Sequence, residues 1–182
     1  MIEEKNIEQK LVAACLRKDR RAQHQMYSKH KVFLYGVCLR YSKTQPEAED
    51  ILQEGFFKIF RDMHQWSGEG KIRAWMRKVM VNTALMHIRK YRKISFVNQE
   101  EILLNSLKLA DLSLTQKHRA DAVISMIQSL PDPYQTVFNL RAIEGYSFRE
   151  IAEQLEINEA TLRSHYLRAR TKLQAVLQKE LE

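Results

Sequence analysis

Two stretches of the chain carry many basic side chains and no acidic ones. Residues 71–93 contain eight Lys or Arg without a single Asp or Glu, and residues 160–179 contain five more without an acid. An ordinary solvated helix face is the alternative interpretation of the first stretch, but such a face usually carries acidic partners one turn away. The missing acids favour binding to a polyanion, and nucleic acid is the expected ligand.

A third segment has the opposite charge. Residues 44–54 contain Glu47, Glu49, Asp50 and Glu54 and no basic residue. Such a segment suits a basic protein surface rather than a nucleic acid. Two basic faces and one acidic face on one chain therefore predict a protein that contacts several macromolecules.

The composition predicts that helices position these charges. The chain has 182 residues, a net charge of +8 and 45% hydrophobic residues, but only 5 Gly and 3 Pro, too few for a turn-rich β fold. We expect an all-α chain of two small helical domains. The first residues lack the apolar core of a secretory signal, and the longest apolar run is too short to cross a bilayer, which predicts a cytoplasmic protein without membrane insertion. Cys15 and Cys38 lie in apolar helical patterns, which predicts buried thiols.

The first half of the sequence predicts four helices. Two lie within residues 11–39 and are separated at residues 18–21. A third runs from a capping box at Thr44 and Glu47 to about Met63, followed by a loop at residues 64–70. The fourth covers residues 71–92, with an apolar stripe at Ile72, Trp75, Met76, Val79, Met80, Leu85 and Ile88. Its polar side is expected to carry Arg73, Arg77, Lys78, Asn82, His87 and Arg89.

The second half begins with an irregular segment, residues 95–115, interpreted as a linker with a short local helix at residues 100–109. A helix from about Lys117 to Leu130 follows, and then another with Asp132 as its N-cap and Pro133 in its first turn. Gly145 is expected to end that helix in a left-handed turn.

Residues 147–173 have the pattern of a helix-turn-helix. Ser147 and Glu150 form a capping box, small Ala152 allows close helix packing, and Asn158 is placed to cap a second helix that starts at Glu159. The expected outward face of that helix carries Ala160, Arg163, Ser164, Leu167 and Thr171, with Arg168 at its edge. Arg can pair with guanine and Ser with either base in the major groove, so this face predicts DNA binding over an ordinary helical hairpin.

At this point the chain resembles the extracytoplasmic-function group of RNA polymerase sigma factors, within the sigma-70 family. The resemblance covers about residues 11–173. It rests on EAEDILQEGFF at residues 47–57, IRAWMRKVMVN at residues 72–82 and, in the second half, on LP, EGYS, EIA, TLRS and RAR in the family's order. Departures from the family pattern are Glu156 for a turn glycine, Asn158 for serine, Ala160 for glycine and His165 for arginine.

The resemblance implies a division of labour along the chain. Residues 1–93 would be sigma region 2, which binds core polymerase and recognises and melts the minus-ten element. Residues 94–116 would be a linker, and residues 117–182 would be region 4, which recognises the minus-thirty-five element. The loop at residues 64–70 and Asn82 would read a flipped base.

The charge pattern and the resemblance together nominate site residues. DNA contacts are expected at Lys71, Arg73, Trp75, Arg77, Lys78, Asn82, Arg89, Arg163, Ser164, Leu167, Arg168, Arg170 and Lys172. Contacts with core polymerase are expected at Asp50, Gln53, Glu54 and Phe57. Core RNA polymerase, promoter DNA and an anti-sigma factor are the expected partners, with no cofactor, metal or small-molecule substrate.

Other functions stay open at this stage. A stand-alone helix-turn-helix regulator would leave the acidic segment and the first basic helix unexplained. A nuclease could use Glu49, Asp50 and Glu54, but the histidines show no metal-ligand spacing and no glycine loop is placed to hold phosphates. A pure protein-interaction module would not need two acid-free basic helices.

Overall fold

The prediction of an all-α chain is confirmed. A computed structural model describes residues 2–92 and 116–179, and within those ranges it contains helices and no strand. The chain divides into two compact units, Met1–His87 and Ile88–Glu182. The predicted linker and the end of the first domain at residue 93 lie outside the described residues, apart from residue 116, which begins a helix.

The first four helices are α1 (Ile2–Leu16), α2 (Arg20–Tyr41), α3 (Gln45–Asp62) and α4 (Ile72–Arg92). The bounds of α2 to α4 are close to those predicted, whereas α1 begins well before Leu11, where the predicted segment opened. The break between α1 and α2 is built by Lys18, whose φ is 61°, and by Asp19, whose carboxylate accepts the backbone N–H groups of Arg21 (2.8 Å) and Ala22 (3.2 Å). That N-cap was not predicted. The core of this unit is formed by fully buried side chains, among them Met26, Leu34, Val37, Tyr41, Ile51, Ile59, Met76 and Met80.

The predicted capping box at the start of α3 is half right. The Thr44 hydroxyl accepts the Glu47 N–H at 3.3 Å, and a proline occupies the first turn as expected. The Glu47 carboxylate, however, accepts the N–H of Lys43 at 2.7 Å, one residue before the N-cap. A helical turn at Met63–Gln65 follows α3, so His64 and Gln65 are not part of the loop predicted at residues 64–70.

Gly55 lies on the buried side of α3, beneath Met80 of α4. A Cβ built at Gly55 would meet the Met80 Sδ and would come within 2.5 Å of its Cε. The glycine therefore lets the Met80 side chain lie directly against the backbone of α3.

Both cysteines are free and buried, as predicted. Burial raises the pKa of Cys15, with the Asp19 charge adding to the effect, and raises the pKa of Cys38 to about 12. Neither thiol is therefore a thiolate at neutral pH in the folded protein.

The second unit contains α5 (Gln116–Ser129), α6 (Asp132–Phe138), a π-helical segment (Asn139–Ile143), α7 (Phe148–Leu155) and α8 (Glu159–Lys179). Its fully buried residues include Val137, Leu140, Ile151, Leu162 and Ala169. Gly145 has a φ of 85° and follows the π-helical segment, which confirms the predicted left-handed turn.

The predicted start of α6 is wrong by one residue. Pro131, not Asp132, is the N-cap, and its carbonyl accepts the Gln135 N–H at 2.8 Å. The fixed φ of Pro131, at −53°, and its ψ of 145° already provide the extended backbone that precedes a helix. Asp132 consequently lies inside the first turn, where its negative charge interacts favourably with the helix dipole.

Candidate polymerase and DNA interfaces

The four residues nominated for a protein contact form one exposed face of α3. Asp50, Gln53, Glu54 and Phe57 follow the spacing i, i+3, i+4, i+7, and all four are exposed, whereas the opposite side of the helix is buried. Phe57 is 67% exposed, which is unusual for a phenyl ring in a folded unit. Glu54 pairs with Lys58 at 2.7 Å, and the Arg61 guanidinium lies 6.0 Å from the Phe57 ring centre. The structure therefore joins an acidic patch to an exposed aromatic ring.

The basic residues nominated on α4 do not share one face. Because an α-helix turns about 100° per residue, Lys78, Asn82 and Arg89 fall along a single line on α4. Lys71 lies one residue before the helix begins, and all four residues are exposed. Half-buried Trp75 lies at the edge of this line.

Arg73 and Arg77 lie on the far side of α4, contrary to the single polar side predicted. The Arg73 guanidinium lies 3.7 Å above the Phe33 ring, a cation–π contact within the unit, and Arg77 is half-buried. These two arginines are placed to pack against the unit rather than to extend the exposed line. The turn of about 100° per residue already separates these two arginines from Lys78, Asn82 and Arg89, whereas the contact with Phe33 could not be predicted from the spacing.

The segment between Met63–Gln65 and α4 is held by local hydrogen bonds. The Trp66 indole N–H donates to the Glu69 carbonyl at 3.2 Å, and the Ser67 hydroxyl accepts the Glu69 N–H at 3.3 Å. Gly68 and Gly70 have φ values of 79° and 65°, which other residues adopt at a cost. The segment therefore has a defined conformation that presents exposed polar groups.

The helix-turn-helix has the predicted local structure. The capping box is complete, because Ser147 Oγ accepts the Glu150 N–H at 3.2 Å and the Glu150 carboxylate accepts the Ser147 N–H at 2.7 Å. Glu156 turns the chain in the left-handed region, with a φ of 59°, and Asn158 Oδ1 accepts the Ala160 N–H at 2.7 Å. Glu156 thus adopts the conformation for which glycine is usual.

The outward face of α8 is exposed along its whole predicted length. It carries Ala160, Arg163, Ser164, Leu167 and Thr171, all exposed, while Leu162 and Ala169 are fully buried on the other side. Leu167 is 63% exposed, so an apolar side chain stands among the polar ones. An apolar group in this position can contact the methyl group of a thymine.

The other basic side chains of α8 make contacts inside the unit. An Arg168 N–H donates to the Tyr134 hydroxyl at 3.2 Å, and the Arg170 guanidinium lies 6.0 Å from the Tyr166 ring centre. Lys172 is half-buried. Arg163 pairs with the Glu159 carboxylate at 2.9 Å and lies 4.7 Å from the Phe148 ring centre. Sequence reasoning missed Phe148, although its place beside the capping box was visible.

One histidine in each unit, buried His30 and half-buried His165, has a lowered pKa. Desolvation is the main cause at both His30 and His165, with nearby Lys29 and Arg73 adding to it at His30 and Arg168 at His165. The His165 ring packs against Tyr134 with ring centres 5.2 Å apart and planes tilted by 53°. Both imidazoles are therefore neutral in the folded protein near pH 7.

The described residues include no cluster suited to a metal ion: no three or more of their His, Cys, Asp and Glu side chains form a group that could hold one. None of the helices in residues 2–92 and 116–179 is long and apolar enough to span a membrane.

Comparison with known proteins matches both units to one family. The profile of sigma-70 region 2 matches residues 26–94, and the profile of sigma-70, region 4 matches residues 120–173. The chain is 31% identical to the RNA polymerase sigma factor SigV of Bacillus subtilis, over 83% of this chain and 88% of that protein. It is 28% identical to the RNA polymerase sigma-H factor of Pseudomonas aeruginosa, with 94% of each chain covered.

A solved structure has a similar fold. It is the sigma factor RpoE of Bartonella quintana in complex with the anti-sigma factor NepR, with a TM-score of 0.50 and 19% identity. The similarity covers 85% of this chain and 96% of that one.

Proposed function

This chain belongs to the extracytoplasmic-function group of the sigma-70 family, and from that membership we propose which of its surfaces carry out the steps of transcription initiation. As a sigma factor it binds core RNA polymerase and directs it to specific promoters. The proposals concern the residues that make those contacts. A stand-alone regulator acting without polymerase is not favoured.

The acidic face of α3 is the proposed docking surface for core polymerase. The observation that carries this is the exposed row Asp50, Gln53, Glu54 and Phe57, since acidic groups around an exposed ring suit a basic partner with an apolar contact point. Charge complementarity would speed the encounter, and the ring would supply buried area once the two surfaces meet.

Promoter contacts divide between the two units. The exposed line on α4, formed by Lys78, Asn82 and Arg89, together with Lys71 before the helix, would follow the minus-ten element, with Trp75 at its edge able to stack on an unpaired base. The outward face of α8 would enter the major groove at the minus-thirty-five element. Arg73 and Arg77 would act mainly as structural residues that support α4.

The protein acts in the cytoplasm, where its polymerase partner is, and it has no catalytic activity of its own. An anti-sigma factor is a further expected partner, because a structural relative forms such a complex. A metal-dependent nuclease that uses Glu49, Asp50 and Glu54 would compete with this proposal only if the protein cleaved DNA.

Sequencing of transcripts made in vitro by core polymerase, with and without this protein, tests the function as a whole. New, discrete start sites in its presence are the expected result. The docking surface is tested by pull-down of core polymerase with Asp50→Lys, Glu54→Lys. We expect this double variant to lose core binding and to melt at the same temperature as the natural chain.

A matched control changes the net charge equally elsewhere. Asp121 and Glu153 are exposed acids of the second unit, and their double reversal to Lys should leave core binding intact. Equal retention of core polymerase by the Asp50, Glu54 variant and the control would rule out the α3 surface.

A further inference from the structure

Phe148 lies at the junction of the two helices that form the helix-turn-helix. It is the first residue of α7, directly after the Ser147 N-cap, and its ring is half-buried. The ring meets Tyr166 of α8 edge-on, with centres 5.7 Å apart and planes at 73°. The capping box fixes the backbone on one side and Tyr166 restrains the ring on the other.

Two arginines from different elements converge on this ring. The Arg163 guanidinium of α8 lies 4.7 Å from the ring centre, and the Arg141 guanidinium of the π-helical segment lies 5.1 Å from it. Arg141 is also held by a hydrogen bond from its guanidinium to the Tyr146 carbonyl, at 3.0 Å. The negative face of an aromatic ring attracts a guanidinium, so it can keep two like charges near each other.

The contact matters most for Arg163, because that side chain is the proposed base-reading group. Among the described residues, Arg163 forms one ion pair, with Glu159, and the two side chains are 61% and 41% exposed. Exposed pairs of this kind restrain a long side chain weakly. Bidentate pairing with guanine requires the fork of the guanidinium to point at the base edge, so a second restraint reduces the entropy lost on binding.

We propose that Phe148 is a positioning residue for promoter readout: its ring holds the Arg163 guanidinium in the orientation that pairs with a base. The inference rests on the proposed function, because it assumes that the outward face of α8 enters the major groove. Arg141 contacts the same ring. Phe148 thereby links the π-helical segment to the sequence preference of α8.

Two substitutions of Phe148 distinguish an effect of its aromatic face from an effect of its apolar volume. Phe148→Leu keeps an apolar side chain but removes the aromatic face, whereas Phe148→Tyr keeps both. In selections of promoter variants by the holoenzyme, we expect Phe148→Leu to weaken preference about two- to fivefold at the base position that Arg163→Ala also changes. Phe148→Tyr should keep the natural profile, and Phe148→Leu combined with Arg163→Ala should match Arg163→Ala alone.

A second measurement on the full-length free protein needs no DNA. The ring current of Phe148 should shift the Nε–H resonances of Arg163 and Arg141 in an NMR spectrum, and Phe148→Leu should abolish that shift while Phe148→Tyr retains it. The positioning role is overturned if Phe148→Leu keeps the natural base profile, or if it weakens binding equally at every position. Failure of the holoenzyme to start transcripts would instead overturn the proposed function, and the NMR result would still stand.

Discussion

At the scale of single residues, α8 separates two kinds of basic side chain. Arg163 and Ser164 are exposed on the outward face in the first turns of the helix, whereas Arg168 and Arg170, which are also exposed, lie further along it and contact Tyr134 and Tyr166. Base contacts specify a site and phosphate contacts position the protein on it. We therefore propose Arg163 as the base-reading residue and the later cations as phosphate ligands.

This distinction predicts different effects of two alanine substitutions. Arg163→Ala should cost about 1–3 kcal/mol at one promoter position and relax the preference there, whereas Lys172→Ala should weaken all sequences alike and reduce the salt slope by about one. Quantitative binding to a library of minus-thirty-five variants at several salt concentrations measures both effects. An unchanged base profile for Arg163→Ala would contradict the assignment.

The two histidines with lowered pKa values, His30 and His165, predict a loss of stability in mild acid. Their pKa values are lowered in the folded protein, so between the folded pKa and the ordinary value of about 6.5 the unfolded chain binds more protons. The free energy of unfolding should therefore be independent of these groups above about pH 6.5 and should fall as the pH drops through the folded pKa values.

Urea unfolding at a series of pH values checks this expectation. At His30 the neighbouring charges are Lys29, Glu8 and Arg73, and at His165 the neighbour is Arg168. His165→Phe removes the titrating group and keeps a ring beside Tyr134, so its unfolding midpoint should depend less on pH between pH values of about 5 and 6.5. If the unfolding midpoints of His165→Phe and the natural chain depended on pH identically, the expectation for His165 would be contradicted.

At the scale of elements, Gly55 shows why a helix cannot be judged by propensity alone. Alanine is favoured over glycine inside a helix by about 1 kcal/mol, which suggests that Gly55→Ala would stabilise α3. Met80 occupies the space that the new methyl group would need, and Met80 is itself fully buried. Displacing a buried side chain costs about 1–3 kcal/mol.

We therefore expect Gly55→Ala to lower the free energy of unfolding by about 1 kcal/mol. In a Met80→Ala chain, where the space is vacant, Gly55→Ala should raise the free energy of unfolding by a similar amount. Chemical denaturation of the four proteins in this double-mutant cycle measures the change of sign. The same sign in both backgrounds would show that the contact with Met80 does not control the effect.

Most elements could be predicted from the sequence because their signals are local. Ser147 and Glu150, which form the capping box, are three residues apart, and the left-handed turn at Gly145 depends only on the backbone freedom of glycine. The helix-turn-helix was therefore predictable in detail. Asp132 failed as an N-cap because Pro131 before it already provides the cap geometry.

Features that depend on packing were not predictable in this way. The contact of Arg73 with Phe33 joins residues of α2 and α4, and the arginines at Phe148 come from either side of it along the chain. The π-helical segment at Asn139–Ile143 was likewise not predicted, since no cap or proline in the sequence indicates it. Site residues were therefore easier to nominate than to assign to a face.

At the scale of the whole molecule, each of the two units has its own buried core. That organisation suits a protein whose two DNA-binding surfaces must meet promoter elements separated by a spacer. Residues 95–115 lie outside the described residues, and their prediction as a linker rests on a mixed composition without helix caps or a clean long period. Fully extended, they would span up to roughly 70 Å, at about 3.3 Å per residue.

Shortening this segment tests the prediction. Removal of residues 98–107 leaves 11 of the 21 residues from 95 to 115, which reach roughly 36 Å, less than a spacer of about 17 base pairs at 3.4 Å each. We expect the shortened protein to bind core polymerase normally and to lose transcription from promoters that need both elements. Replacement of residues 98–107 by ten Gly and Ser residues should preserve transcription, and a loss with that chain too would show that the segment acts through its sequence.

The position of the two cysteines has a practical consequence for studying how the protein opens. The chain contains only Cys15 and Cys38, and both are buried in the first unit. A thiol-specific reagent can modify them only while that unit is locally or globally unfolded, so the rate of modification reports its opening without any engineered label. Because the described part of the second unit has no thiol, the rate of modification does not report motions of that unit. Pulse labelling of the natural chain, alone and on core polymerase, would thus measure how strongly polymerase protects the first unit from opening.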